Sequence, residues 1–261
     1  MDKIKAAEKF IKLLEIVEKL RGADGCPWDR EQTNETLIPY LLEETYEVIE
    51  SIDSKDWATL NEELGDVLLH IVLQSQIARE DKKFNIIDSI DNINQKLIRR
   101  HPHVFGDNQA KTPFESKQNW ESIKHVEKNR KSRLDGVPES LPALARAYRL
   151  AQKASYAGFD FKNIDDVWKK FYEEIDELKE AFKLKNHDNI KEEIGDVLFS
   201  LVNLSRFLDL SAEDILRKTN KKFINRFQFI EKELASNGGK IEESNLQEME
   251  EIWGKSKKEV K

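Results

Sequence analysis

The chain carries one acidic pattern twice. EETYE at 43–47 is followed by EELGDVL at 62–68, and EEIDE at 173–177 is followed by EEIGDVL at 192–198. In both copies 16 residues separate two matching glutamates, Glu47 from Glu63 and Glu177 from Glu193. Self-similarity of this kind predicts a tandem duplication of one structural unit, which constrains the fold more than any other feature of the chain.

The similarity continues downstream of the acidic motifs. Each half has a lysine and an arginine four residues apart, and then a tryptophan and a lysine with the same step. These pairs are Lys96–Arg100 and Trp120–Lys124 in the first half, and Lys222–Arg226 and Trp253–Lys257 in the second. The duplication therefore extends over most of the chain.

Helical periodicity dominates both halves. Apolar residues recur at three- and four-residue spacing, and no segment alternates apolar and polar residues for long enough to predict a strand. We therefore expect an all-α fold with about five helices in each half. The predicted helices are about two dozen residues from near Ile4, then 38–53, 56–80, 87–100 and 114–131, followed by 143–155, 165–184, 188–208, 212–235 and 245–258.

A segment rich in turn-forming residues separates the two sets of helices. Residues 132–142 contain Gly136, Pro138 and Pro142, which are typical of a linker. The sequence therefore predicts an N-terminal domain at 1–131 and a C-terminal domain at 143–261. GCPWD at 25–29 is predicted to be a loop. Trp28, Phe159 and Phe161 are predicted to plug loops that close over the bundle, or to form part of a base pocket.

Composition narrows the class of protein. The 261 residues carry a formal net charge of −7, with 36% charged residues, and contain a single cysteine, Cys26. An acidic chain lacks the basic footprint of nucleic-acid-binding proteins. No apolar run approaches the length of a membrane span, and the charged N-terminus does not resemble a signal peptide. We expect a cytoplasmic protein with no membrane or nucleic-acid partner.

The acidic residues have the spacing of a metal site. Residues three apart share one face of a helix, so Glu44 and Glu47 project together, as do Glu63 and Asp66. If the two helices pack as an antiparallel hairpin, all four carboxylates converge. The second half offers the same arrangement with Glu174, Glu177, Glu193 and Asp196.

Crowded carboxylates need a cation. Burying them unpaired costs several kcal/mol per ion, and all-oxygen ligands suit Mg²⁺ or Mn²⁺. A solvated acidic face is the simpler explanation for one copy, but two copies at identical spacing favour an inherited site. Gly65 and Gly195 lie inside helices beside these residues, where glycine costs about 1 kcal/mol relative to alanine. We interpret them as points of close approach by a neighbouring helix or a ligand.

Positive residues for a phosphorylated ligand are also present. A cation held mainly by carboxylates often completes its coordination with substrate phosphates. Lys222 and Arg226 share one helix face, and Trp253 could stack on a base while Lys257 reaches a phosphate. The second half also has Lys170 and Lys191 near its carboxylates.

The combination of motifs resembles the MazG family of nucleoside triphosphate pyrophosphohydrolases. The EExxE and EExGD motifs, the Lys–Arg helix and the late tryptophan carry the resemblance, together with GCPWD at 25–29, RRHPHVFG at 99–106 and LPAL at 141–144. The resemblance implies an all-α pyrophosphatase fold, Mg²⁺ dependence and a homodimer. It also implies cleavage of nucleoside triphosphates between the α- and β-phosphates, giving a monophosphate and pyrophosphate.

The resemblance also implies roles for individual residues. Glu174, Glu177, Glu193 and Asp196 become metal ligands and catalytic groups, with Glu174 or Glu177 as the base for the attacking water. The nucleotide contacts become Lys170, Lys191, Lys222, Arg226, Trp253 and Lys257. Base preference is not readable from these residues, and we expect several nucleoside triphosphates to be cleaved.

The two halves differ in charge near the carboxylates. The second half has Lys170 and Lys191 where the first has Tyr40 and Asn61. Because added positive charge favours a triphosphate, we expect the main active site in the second half. The first half keeps Glu44, Glu47, Glu63 and Asp66, and remains a candidate for metal binding or weaker activity.

Two other functions compete with this interpretation. A di-iron carboxylate bundle uses Glu-x-x-His pairs, and none of the five histidines has an acidic residue three positions before it. A non-enzymatic helical module that binds metal or nucleotide remains the alternative. It predicts no metal-dependent turnover.

Overall fold

The computed structural model describes residues 1–107 and 109–259, and this part of the chain contains α-helices and no strand. The all-α prediction is confirmed. Two compact units are present, Met1–Gln109 and Ala110–Lys261. Of the described helices, none is long and apolar enough to cross a membrane.

The first unit is built around a helical hairpin. Its helices are α1 (Lys3–Arg21), α2 (Pro27–Glu31), α3 (Ile38–Ser54), α4 (Trp57–Glu80), α5 (Ile86–Arg100) and α6 (Pro102–Phe105). The helices α3 and α4 pack against each other, and α1 packs on α4. The core is centred on Val17, Leu37, Val72, Leu73 and Ile77.

The second unit contains the corresponding hairpin. Its helices are α7 (Pro113–Glu127), α8 (Ala143–Tyr156), α9 (Ile164–Lys183), α10 (His187–Phe207), α11 (Ala212–Ser236) and α12 (Leu246–Glu259), with a short 3₁₀ helix at Ile241–Glu243. The helices α9 and α10 form the hairpin, α8 packs on α10, and α12 packs on α11. Ile230, Leu234 and Ile252 form a core between α11 and α12.

The two hairpins turn in the same way. Lys55 and Lys185 have φ values of 59° and 52°, and each precedes the residue that caps the next helix. The side chain of Asp56 accepts hydrogen bonds from the first turn of α4, and Asn186 does the same for α10. Loops this short force neighbouring helices to run antiparallel, so the duplication that the sequence predicts is present in the fold.

Each of the ten predicted helices has a counterpart, and two short helices are additional. The segment predicted as a loop around GCPWD contains α2, and α6 follows directly after α5. Both begin with proline, at Pro27 and Pro102, whose missing N–H is not needed in the first helical turn. Proline therefore starts a new helix at 102 as well as ending the previous one.

The division between the units differs from the predicted linker at 132–142. The helix α7 belongs to the second unit, where the Phe114 ring lies 5.5 Å from that of Tyr156. Lys153, on α8 and only 5% exposed, pairs with Glu121 on α7 at 2.9 Å. These contacts hold α7 on α8, so the turn-rich segment lies inside the second unit.

Candidate metal centre

Carboxylates from α3 and α4 meet in the first unit. Glu44, Glu63 and Asp66 are half-buried, and one oxygen of each lies within 4.8 Å of the others. Burial raises the pKa of Glu44 to about 7, and the negative charge of Asp66 adds to the shift. Glu47 is exposed and lies beside this trio, where it hydrogen-bonds with Glu44.

The second unit brings together the corresponding residues of α9 and α10. Glu174, Glu177 and Glu193 have oxygens within 4.8 Å of one another, and Glu174 is buried, with 8% of its surface exposed. Burial raises the pKa of Glu193, and the charge of exposed Asp196 raises it further. The four predicted carboxylates thus lie together in each unit, three as a tight trio and one at its edge.

The residues of both clusters fit a hard divalent cation. Each offers only carboxylate oxygens, presented by two helices, and burial together with repulsion between the negative charges raises the pKa values of Glu44, Glu63, Glu177 and Glu193. A divalent cation relieves that repulsion. We call these groups the first and the second acidic cluster.

A lysine lies against the second acidic cluster. Lys170, one turn before Glu174 on α9, places Nζ 2.9 Å from Glu174 Oε1 and 2.6 Å from Glu173 Oε1. These hydrogen bonds raise the pKa of Lys170. In the first unit the matching residue, Tyr40, packs edge-on against Trp28, with ring centroids 5.7 Å apart. The second cluster therefore combines carboxylates with a cation.

The other predicted nucleotide contacts fall into two groups. The Arg226 guanidinium lies over the Trp253 ring, 5.6 Å from its centroid, and Phe223 packs on the same ring. Arg226 Nε is buried without a hydrogen-bond partner among the described residues. Lys191, by contrast, is exposed and pairs with Asp188 at 3.0 Å. Lys222 and Lys257 are also exposed.

A comparison with known protein families identifies the family to which the chain belongs. The MazG nucleotide pyrophosphohydrolase domain matches residues 32–105 and 163–229. The chain belongs to the MazG family. Each matched segment contains one acidic cluster, and the second also contains Lys170 and Arg226, whereas Trp253 lies outside it.

Two relatives match nearly the whole chain, and a third matches a shorter part of it. The chain is 48% identical over 250 residues to the nucleoside triphosphate pyrophosphohydrolase/pyrophosphatase MazG of Thermotoga maritima, with 95% of each protein covered. It is 43% identical over 254 residues to the nucleoside triphosphate pyrophosphohydrolase of Escherichia coli K12, with 95% of this chain and 97% of that protein covered. A phosphoribosyl-ATP pyrophosphatase of Clostridium acetobutylicum is 35% identical over 80 residues, 29% of this chain and 73% of that protein.

The glycines inside the MazG motifs face open space. A side chain at Gly65 or Gly195 would meet no atom within 4 Å, apart from its own helix backbone, among the described residues. The expectation that a neighbouring helix approaches closely at these positions is therefore wrong. The space beside each glycine leaves room for a ligand next to the carboxylates.

The sequence did not predict one feature of the second unit and predicted another only in part. Glu173 and Glu174 both pair with Lys170. The run of glutamates in the sequence did not indicate that Glu173 takes part. A cavity also lies between α8, the loop before α9, and α10. The sequence left two alternatives open for Phe159, a plug over the bundle or part of a base pocket. Phe159 is 84% exposed, so it does not plug the bundle. The sequence of α10 contains one indication of the cavity. Asn203 lies two helical turns after Asp196, which puts a polar residue on the same helix face as the carboxylates.

Proposed function

We propose that this protein hydrolyses nucleoside triphosphates between the α- and β-phosphates, releasing a nucleoside monophosphate and pyrophosphate. The observation that carries the proposal is the second acidic cluster with Lys170 beside it, inside a segment that matches the MazG domain. The names of the Thermotoga and Escherichia relatives support the same activity. We place the main active site in the second unit.

The proposal includes Mg²⁺, with Mn²⁺ as a substitute. Glu174, Glu177, Glu193 and Asp196 would hold it, as their oxygen donors fit such an ion. When bound, the ion neutralises phosphate charge and makes a water molecule more acidic.

Glu177 is the better candidate for the base that orients and deprotonates the attacking water. Glu174 is buried and its Oε1 is held by Lys170, so it is fixed as a ligand. Glu177 is exposed, which lets water reach it from the open side of the cluster. Of the two candidates that the sequence left open, the geometry favours Glu177.

Positive side chains would bind the phosphates and stabilise the departing pyrophosphate. Lys170 is half-exposed and already lies at the cluster, so it can exchange Glu173 for a phosphate oxygen. Arg226 is held in place by Trp253 and has an unsatisfied Nε. Phosphoryl transfer depends mainly on such positioning and charge stabilisation. We also assign Lys191, Lys222 and Lys257 to the nucleotide, as the resemblance to the MazG family implies, and all three are exposed.

We further propose that the protein acts as a homodimer. One face of α10 carries Ile194, Leu198 and Leu201, each about half exposed, at spacings of four and three residues. The matching face of α4 carries Leu64, Leu68 and Ile71. An apolar stripe of this kind is typical of a protein–protein interface. Light scattering coupled to gel filtration tests this proposal, and a mass of one chain at micromolar concentration would contradict it.

The test of the activity is product analysis by anion-exchange chromatography. ATP, dGTP and UTP are each incubated with the protein, first with Mg²⁺ and then with EDTA. We expect monophosphate and pyrophosphate from all three, only with the metal, and none from Glu193→Ala. Glu192→Ala is the matched control, since Glu192 is the exposed neighbour of Glu193.

Other products would contradict the proposal. Diphosphate and orthophosphate would indicate a different phosphohydrolase. Absence of turnover with every nucleotide would leave the fold intact and favour the alternative, a helical module that binds metal or nucleotide without catalysis.

A further inference from the structure

The second unit contains a cavity of about 420 Å³ that the proposed chemistry does not use. Most of its wall is apolar and aromatic. The lining residues that matter here are Ala154, Phe159, Asp160, Phe161, Phe199 and Asn203. The volume lies in the range of about 300–1,000 Å³ that small-molecule sites occupy.

The cavity lies along the helix face that carries the second acidic cluster. Residues seven apart on a helix share one face, so Asn203 lies on the same face of α10 as Asp196, two turns further on. At 1.5 Å per residue this is about 10 Å along the axis, and Phe199 lies in between. A ligand that lies along this face reaches from the carboxylates into the cavity.

The polar groups of the cavity are held in fixed positions. Arg206 donates from Nε to Asn203 Oδ1 at 2.8 Å, and from Nη2 to Asp160 Oδ1 at 2.5 Å. The carbonyl of Asn203 is thus occupied, and its NH₂ group has no protein partner among the described residues. The other Asp160 oxygen, Oδ2, accepts from Arg206 Nη1 at 3.1 Å, so both oxygens of this carboxylate are engaged by the guanidinium. The cavity therefore offers N–H donors from Asn203 beside three phenylalanine rings.

We infer that this cavity binds the nucleobase of the triphosphate whose phosphates lie at the second acidic cluster. The inference rests on the proposed function. A base needs a flat apolar surface and a polar group at its edge, and the phenylalanines and Asn203 supply both. The NH₂ group of one fixed side chain can donate to a ring nitrogen or a carbonyl oxygen, which suits several bases rather than one.

This assignment moves the base away from Trp253, which the sequence had suggested as a stacking surface. Arg226 and Phe223 already contact the Trp253 ring, and the ring packs on the core of Ile230, Leu234 and Ile252. Trp253 then acts on the phosphate side, by holding Arg226.

The test separates base binding from phosphate binding. Ala154→Leu fills the cavity, and Phe159→Ala removes an exposed ring whose loss disturbs the fold little. In both variants we expect the KM for ATP to rise about 10-fold or more, the size of a lost base-stacking contact. The inhibition constant of inorganic tripolyphosphate, which has no base, should stay within about 2-fold, because the phosphate contacts are unchanged. Phe182→Ala, a comparably exposed phenylalanine outside the cavity, is the control.

Adenosine binding provides a readout that needs no catalysis. We expect saturation-transfer NMR to detect adenosine on the wild-type protein and on Glu193→Ala, and to lose it in Ala154→Leu. Adenosine binding that persists in Ala154→Leu but disappears in Trp253→Ala would overturn the inference in favour of Trp253. An unchanged KM for ATP in both cavity variants would also overturn it, while the proposed function would stand. If no nucleotide is hydrolysed, the proposed function fails, and adenosine binding still decides whether the cavity takes a base.

A second copy of the chain is the competing occupant. If Ala154→Leu changes the mass measured by light scattering and adenosine does not bind the wild type, the cavity is part of an interface and the inference is wrong.

Discussion

The first and second acidic clusters present corresponding carboxylates on corresponding hairpins, one in each unit. They differ in the positive charge that lies beside the carboxylates. In the first, burial and neighbouring carboxylates raise the pKa of Glu44 to about 7. In the second, the matching Glu174 is buried as well, but Lys170 lies 2.9 Å from its oxygen. One helical position, Tyr40 or Lys170, accounts for the difference.

The two clusters present corresponding carboxylates, so the carboxylates alone do not distinguish them. The first cluster can relieve its repulsion by taking up a proton or a metal ion. The second has a lysine beside it, which neutralises part of the charge before any metal binds and, under the proposed function, can then contact a phosphate. The clusters therefore differ by one cation in contact with the carboxylates, Lys170.

The helices that follow the hairpins differ too. In the second unit α12 packs on α11 and places Trp253 under Arg226. Its counterpart α7, which carries Trp120, packs on α8 through Glu121 and Lys153. The division between the units thus keeps α11 with α12 but assigns α5 and α7 to different units.

The largest expected effect comes from removing one carboxylate in each cluster. Glu193→Gln should lower kcat by more than about 100-fold, because even groups that only orient a metal ligand are worth about 10–100-fold. Glu63→Gln, the matching change in the first cluster, should lower kcat by less than about 2-fold if only the second cluster is catalytic. Steady-state kinetics with ATP and Mg²⁺ checks both. Equal losses in the two variants would show that the clusters act together.

Exchanging the residue that distinguishes the clusters should have the next largest effect. Lys170→Tyr removes the cation. It should lower kcat/KM about 10- to 100-fold, because a hydrogen bond to a charged group contributes about 1.5–3 kcal/mol. Lys170→Arg keeps the charge and should retain more of the activity. If Lys170→Tyr and Lys170→Arg lose the same amount, charge is not what separates the clusters.

The reverse exchange sharpens the same point. Tyr40→Lys, made together with Glu193→Ala, gives the first cluster a lysine while the second is inactive. Turnover above that of Glu193→Ala alone would show that the missing cation had limited the first cluster. A rate that does not change would show that the cation at this position is not what limits the first cluster.

A glycine substitution should separate stability from activity. Gly195→Ala and Gly65→Ala each place a methyl group in open space inside a helix, so each should raise the free energy of unfolding by about 1 kcal/mol. If the space at Gly195 serves the ligand, kcat/KM falls in Gly195→Ala only. Thermal unfolding and ATP hydrolysis check the pair. Full activity in a more stable Gly195→Ala would show that neither packing nor ligand requires the glycine.

The pairing of carboxylates across each hairpin was predictable, because it depends on helical spacing and a short loop. Glu44 with Glu63, and Glu174 with Glu193, could be placed together from sequence since helix faces and antiparallel neighbours follow from local rules. The tight trios within each set of four could not, because they depend on side-chain orientation.

Contacts between helices that are distant in the duplicated pattern were not predictable. The turn-rich segment at 132–142 suggested a boundary, yet Glu121 and Lys153 join the helices on either side of it. Arg206 and Asp160, whose pairing fixes the polar side of the cavity, are 46 residues apart in the sequence. Interactions of this kind depend on packing, and the periodicity of a single helix does not encode them.

The smallest expected effect is the pH dependence of stability that Glu44 gives the first cluster. The pKa of Glu44 rises from 4.5 to about 7 on folding, so the folded state binds more protons than the unfolded state between these values. The free energy of unfolding of the metal-free protein should therefore fall as pH rises from about 4.5 to about 7, and Glu44→Gln should reduce this slope. Urea unfolding in EDTA at several pH values measures it.

Metal binding should act on the same proton. Above about pH 7 the carboxylate of Glu44 is ionised, so Mg²⁺ no longer competes with a proton and should stabilise the wild type more than it does at pH 5. In Glu44→Gln this gain with pH should be smaller, because the side chain no longer titrates. An equal gain in both proteins would place the pH-dependent metal binding at the second cluster, where burial and neighbouring carboxylates raise the pKa values of Glu177 and Glu193.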